Sequence, residues 1–161
     1  MKRIYLDNAA ATPVGSETLR VINEATKKFL GNPSALHREG VIARDALEKA
    51  RKKVADFLGA HADEIIFTSG ATEANNMTLA GVVQSARARG LKHPHIIVSS
   101  IEHPSVLEAA RMMEAQGVKV SYASVDKRGV VDIKNFRKLI TPETVLISIM
   151  YANNEIGTIE P

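Results

Sequence analysis

Cysteine is absent from all 161 residues, which excludes disulfides, thiolate metal sites and a thiol nucleophile within this chain. Tryptophan is absent too, and aromatics reach only 4%, leaving little on which to stack nucleobases. The net charge of +3 comes from Lys and Arg scattered along helical stretches (Lys27, Lys28, Lys49, Arg51, Lys52, Lys53). That pattern reads as a solvated face, not a nucleic-acid footprint. No apolar run approaches membrane-spanning length. The first residues carry no apolar leader core and no cleavage signature, so no secretory signal is expected and the cytoplasm is the default location. His37, His61, His93 and His95 lack metal-ligand spacing and are read as structural or solvent-facing; no metal site is expected.

What is present is a globular composition, 45% apolar and 24% charged, at a length that can bury one real core. Ile4-Tyr5-Leu6 reads as a short strand leading into an ordered loop at Ala9–Pro13. Ser16 is the expected N-cap of a first helix with Leu19, Ile22, Thr26 and Phe29 at helical spacing, ended by Gly31-Asn32-Pro33. Ser34 is the expected cap of a second, whose apolar face runs through Ile42, Ala46, Ala50, Val54 and Phe57 to a C′ glycine at Gly59. Then the chain alternates. A strand is expected at 64–68, a helix over 72–88 stopped by Gly90, a strand at His95–Ser99 and a helix from Ser105 to Gln116. A half-buried strand follows at Val118–Tyr122, then a turn at Asp126–Gly129, a short helix capped by Asp132, and a buried strand at Thr144–Met150. This order predicts an α/β sheet with helices on both faces. No helix covers the last strand, which reads as an interrupted domain.

Ligands of open α/β sheets bind outside the carboxyl ends of the strands. Three polar turns are expected there: Ser69-Gly70-Ala71-Thr72, Glu102-His103-Pro104 and Asn153-Asn154. In the first, small residues deliver a helix N-terminus, a place for an anion and most often a phosphate. By local pattern alone an ordinary Ser/Thr cap is the favoured reading. It is neither a Walker loop nor G-x-G-x-x-G. His103 could be a plain turn histidine, or could stack on an aromatic cofactor and shuttle protons. Asn153-Asn154 could be turn chemistry, or amides set to bind a ring substituent or a carboxylate.

In combination the motifs are far more specific. Tyr5-Leu6-Asp7-Asn8-Ala9-Ala10-Ala11-Thr12-Pro13, Gly31-Asn32-Pro33-Ser34, Phe67-Thr68-Ser69-Gly70-Ala71-Thr72-Glu73-Ala74-Asn75-Asn76, Glu102-His103-Pro104-Ser105-Val106-Leu107 and Asn153-Asn154-Glu155-Ile156-Gly157 resemble, in order, the N-terminal part of cysteine desulfurases of the NifS/IscS type. These are pyridoxal-phosphate enzymes of the class V aminotransferase family.

The resemblance implies part of the large domain of fold type I, an aspartate aminotransferase-like three-layer α/β/α architecture, incomplete here. Residues 1–60 would form an N-terminal arm and helices packing on the large and small domains, and 61–161 the first part of the cofactor-binding large domain. It also implies pyridoxal 5′-phosphate, held at its phosphate by Ala71 and Thr72. His103 would stack on the ring and take part in proton transfers, and Asn154 would sit near the ring hydroxyl and the substrate carboxylate. The family's Schiff-base lysine, pyridine-pairing Asp, persulfide cysteine and small domain have no match, so the chain alone is expected to be inactive. The implied reaction converts L-cysteine to L-alanine and leaves sulfur as an enzyme persulfide for iron–sulfur scaffold or tRNA-thiolation acceptors. The implied partners are a complementing C-terminal half and a homodimer of the complete enzyme, without nucleic acid or membrane. A selenocysteine lyase-like enzyme and a non-catalytic binding or assembly module are the alternatives.

Overall fold

A computed structural model describes residues 4–161, so the first three residues of the expected N-terminal arm lie outside the described residues. The chain divides into two compact units, one ending at Phe67 and the other beginning at Thr68.

In the first unit, the expected strand at Ile4–Leu6 does not form: these residues have no regular secondary structure. Helix α1 spans Ser16–Lys28 and α2 spans Arg38–Leu58. Neither expected serine cap forms. Gly15 precedes α1 without a side-chain cap, whereas His37 caps α2 by accepting from Gly40 N through Nδ1 at 3.4 Å. Asn32 Oδ1 instead accepts from Ser34 N at 2.9 Å, which turns the chain before α2. The two glycines at this junction are required by space, since a Cβ on Gly31 would strike the Glu39 carbonyl and one on Gly40 the Ala35 carbonyl. Gly59 ends α2 in the left-handed conformation with φ 68°, as its position implied.

The apolar face of α2 is present but largely uncovered among the described residues, with Phe57 at 88% exposure. Residues 64–68 are the second departure. A 3-10 turn at Ala62–Glu64 is followed by extended chain that joins no ladder. Arg51 holds this stretch, donating to the Ile65 carbonyl while its guanidinium lies 5.0 Å from the Phe67 ring centre. An apolar run is a strand only when another backbone pairs with it, and here the chain's own β elements pair elsewhere.

The second unit is a three-stranded parallel sheet in the order β2-β1-β3, with β1 at His95–Ser99, β2 at Lys119–Ala123 and β3 at Thr144–Ser148. Helices α3 (Ala71–Ala88) and α4 (Pro104–Ala115) cover one face. Leu79, Val83, Val106, Ala110 and Met113 pack there on Ile96 and Val98. Helix α5 (Ile133–Leu139), capped by Asp132 accepting from Asn135 N, lies on the other face with Phe136 and Leu139 near Ile97, Ala123 and Val131. Alternation along β1 thus feeds both layers, and every residue of β1 is buried. The expected burial of β3 is only partial. It is an edge strand, and Ile147 is 43% exposed.

Two polar side chains are built into this core. His95 is fully buried beside β1's neighbours, with Nδ1 2.8 Å from Thr144 Oγ1 and Nε2 2.9 Å from Ser121 Oγ. Glu102, 7% exposed, accepts at Oε1 from Ser99 Oγ at 2.8 Å and from Met150 N at 2.6 Å. One carboxylate oxygen therefore ties the carboxyl end of β1 to the chain leaving β3.

Burial, and next the nearby Lys119, holds His95 below the ordinary histidine value of 6.5, with Glu143 opposing. Because the unfolded chain takes up this proton first, stability from the neutral ring is complete above pH 6.5 and lost as pH falls below it. The urea midpoint is expected to drop between about pH 7 and 5.5, with a shallower drop in His95→Gln; equal slopes would assign the effect to other groups. Glu102→Ala leaves the Met150 N–H and the Ser99 hydroxyl without an acceptor and is expected to cost about 2–4 kcal/mol in urea denaturation, with Glu102→Gln costing less.

Candidate functional site

The carboxyl ends of β1 and β3 and the N-termini of α3 and α4 open toward one side of the second unit. At α3, Thr68 Oγ1 donates to the Gly70 carbonyl at 3.1 Å, and Ala74 N donates to the same carbonyl at 3.1 Å as the first helical bond. The N–H groups of Ala71, Thr72 and Glu73 precede that bond and have no intrahelical partner. Gly70 is extended (φ 164°), and a Cβ there would meet nothing within 4 Å. The space beside Gly70 is therefore open, and the described packing does not demand glycine there.

Glu73 is the residue that sequence reading left without a role at this turn. Its Oε2 accepts from Ser69 N at 2.6 Å and from Ser69 Oγ at 2.7 Å. The Ser69 hydroxyl first, and its N–H second, hold the exposed Glu73 carboxyl below the usual range. Both Ser69 donors are therefore taken by the protein. The free donors are the backbone N–H groups of the first turn and the Thr72 hydroxyl, which has no protein partner among the described residues. The spacing Ser69…Glu73 resembles a capping box stretched by one residue and was the available signal.

His103 is the N-cap of α4; its Nδ1 accepts from Ser105 N at 3.1 Å and lies 2.8 Å from Ser105 Oγ. Asn75 Nδ2, one turn into α3, donates to Ser105 Oγ at 2.8 Å and so links the two helix starts. Thr72, Asn76, His103, Pro104 and Met112 line one groove between these helices. His103 and Pro104 also line a second cleft of about 310 Å³, together with Ile101, Asn154, Glu155 and Ile156. That volume is at the lower bound of small-molecule pockets. Thr72 and Asn154 thus flank His103 in two adjoining crevices.

The two asparagines separate cleanly. Asn153 spends its whole amide on the loop: Nδ2 donates to the Ile101 carbonyl at 3.0 Å, and Oδ1 accepts from Glu155 N at 2.8 Å and Ile156 N at 3.0 Å. Asn154 is exposed, and its amide has no protein hydrogen bond among the described residues. Glu102, Asn75 and Ser105 were present in the motifs, but their contacts span 30 to 48 residues of chain and no local pattern reveals them. Among the described residues no three His, Asp or Glu side chains gather as metal ligands, and no helix is long and apolar enough to cross a membrane.

The profile of the aminotransferase class-V family matches residues 4–161. The chain is 49% identical over 162 aligned residues to a cysteine desulfurase IscS of Dictyoglomus turgidum, covering all of this chain and 40% of that protein. Among solved structures, a NifS-like protein superposes with a TM-score of 0.89 at 42% identity, covering 99% of this chain and 43% of the other. SspA in complex with cysteine superposes at 0.84 with 38% identity, covering 98% and 44%. The chain therefore spans about 40% of the length of the curated relative it matches. Its α/β layers are part of the fold type I architecture of these neighbours. With a match along its entire described length, the chain belongs to the class-V aminotransferase family, and within it resembles the cysteine desulfurases of the NifS/IscS type.

Proposed function

We propose that this chain is the phosphate-binding part of a cysteine desulfurase that takes L-cysteine to L-alanine and passes the sulfur on as an enzyme persulfide. The observation that carries it is the grouping of free N–H donors, an exposed imidazole and an unspent amide around adjoining crevices, in a chain whose relatives are named as such enzymes. The neighbour solved with cysteine supports the substrate class.

The residues present suit pyridoxal 5′-phosphate. Ala71 and Thr72 would hold the phosphate through first-turn N–H groups and the Thr72 hydroxyl, where the helix N-terminus favours negative charge. His103 would lie against the ring, and Asn154 would donate to a ring or carboxylate oxygen. When bound, the cofactor supplies an electron sink at the substrate's α-carbon. Pro104 and Ile101 line the crevice beside His103, while Glu102 keeps the β1 and β3 ends, and with them His103 and Asn154, at fixed separation.

Two groups must come from elsewhere. No lysine lines either crevice, and no cysteine exists in the chain to receive sulfur. We assign both to a complementing C-terminal part, in a homodimeric complete enzyme acting in the cytoplasm and serving iron–sulfur or tRNA-thiolation acceptors. The domain roles expected for 1–60 and 61–161 belong to this reading. The uncovered apolar face of α2, with Phe57 and Val54 exposed, supports a surface that such a partner would close.

Co-expression with the reading frame immediately downstream is expected to give a cofactor-retaining complex that releases alanine from L-cysteine. A complex that co-purifies with cofactor supplied yet releases none would overturn the proposal. In that complex Thr72→Ala is expected to raise the pyridoxal 5′-phosphate dissociation constant by roughly 10- to 100-fold, since a hydrogen bond to a charged group contributes about 1.5–3 kcal/mol. An unchanged constant, measured by equilibrium dialysis, would remove Thr72 from the phosphate site.

A further inference from the structure

We propose that Ser105 and Asn75 are positioning residues that lock the neutral His103 imidazole in its Nε2–H tautomer. His103 then presents a hydrogen-bond donor, and no basic nitrogen, to the crevice. A backbone N–H can only donate. The Ser105 N–H directed at Nδ1 therefore requires a lone pair on that nitrogen. A neutral imidazole carries one proton, so it sits on Nε2.

Ser105 Oγ lies 2.8 Å from Nδ1, close enough to donate to the same nitrogen. The Asn75 amide N–H occupies a lone pair of this hydroxyl at 2.8 Å. The hydroxyl keeps a second lone pair, so the direction of this contact follows from the Ser105 N–H: with Nδ1 already an acceptor, the serine proton must point at it. The chain of donors runs one way, from Asn75 on α3 to Ser105 and then to His103 on α4. Asn75 and Ser105 are both half-buried. Nε2 has no protein partner among the described residues and is the ring atom left for a ligand.

The consequence for chemistry rests on the desulfurase reading. A general base at Nε2 needs that atom bare, and this is the tautomer the Ser105 N–H excludes. The neutral ring's part is to orient and to donate, for example to an oxygen of cofactor or substrate. The lock itself depends only on the chain's own residues, so it can be tested with neither ligand present.

The test is a long-range ¹H–¹⁵N spectrum of the chain labelled at histidine, at a pH where the imidazoles are neutral, with His103 assigned by its loss in His103→Gln. A peptide of residues 100–107 gives the unlocked reference. Expected is an Nδ1–H fraction about fivefold below the peptide's, the shift that one modest hydrogen bond produces. Ser105→Ala and Asn75→Ala should each raise that fraction toward the peptide's, and Ser105→Thr, which keeps the hydroxyl, should not. A wild-type fraction equal to the peptide's overturns the lock, and a fraction unmoved by both alanine variants leaves the Ser105 N–H alone in charge and overturns the positioning role of the Ser105 and Asn75 side chains. Failure of the desulfurase reading would show as absent alanine release and would leave this spectrum unchanged.

Discussion

The buried Glu102 carboxylate is the contact on which the candidate site depends. Parallel strands supply no hairpin to fix their carboxyl ends relative to one another, so something else must do it. Glu102 does so with one oxygen shared between the Ser99 hydroxyl and the Met150 N–H. Burying a carboxylate is costly unless its oxygens are engaged, and charge-assisted bonds at 2.6 and 2.8 Å are among the short, strong ones. The next residue along the chain is His103, and four residues beyond Met150 lies Asn154. Geometry set by the carboxylate is therefore passed to both site residues through a few covalent bonds.

At the α3 N-terminus two charges compete for the same field. The first-turn N–H groups favour an anion, yet Glu73 already places one nearby. The outcome is decided by reach. Glu73 bends back to Ser69, outside the helix proper, and leaves the donors of Ala71 and Thr72 unspent. A second anion arriving there meets free N–H groups but also feels repulsion from a carboxylate. On the proposed reading, full use of the cup calls for a ligand with more contacts than its phosphate alone, and His103 and Asn154 in the adjoining crevices can provide them.

Much of the architecture was legible because helices declare themselves locally. The spacing of Leu79, Val83 and Ala86 on α3, the Gly59 cap of α2 and the apolar run of β1 each needed only their own neighbours. What failed needed distant partners. Ile65–Phe67 has the composition of a strand, but a ladder requires a second backbone, and Arg51 binds the stretch instead. Ser16 and Ser34 looked like caps, while His37 performs that task for α2 by a contact three residues long that histidine rarely advertises. At the candidate site, strand–turn–helix order marked the turns Ser69–Thr72, Glu102–Pro104 and Asn153-Asn154, and only the family resemblance singled out Ala71, Thr72, His103 and Asn154 within them. The partnership of Asn75 with Ser105 was not legible, because it exists only once α3 and α4 lie side by side.

Local bonds also shape the candidate site without help from a ligand. Ser69 is held by Glu73, His103 by Ser105 and Asn75, and the Asn154 loop by the fully used amide of Asn153. Each of these bonds lies within the second unit and none needs a ligand. Ordering a side chain with long rotamer freedom costs up to about 2 kcal/mol, a cost already met here by folding. On the proposed reading, a partner that brought an amine and a thiol would find the phosphate, ring and carboxylate contacts preset. Its binding energy could then go into closing the crevice and positioning the reacting atoms, with little needed to build the walls.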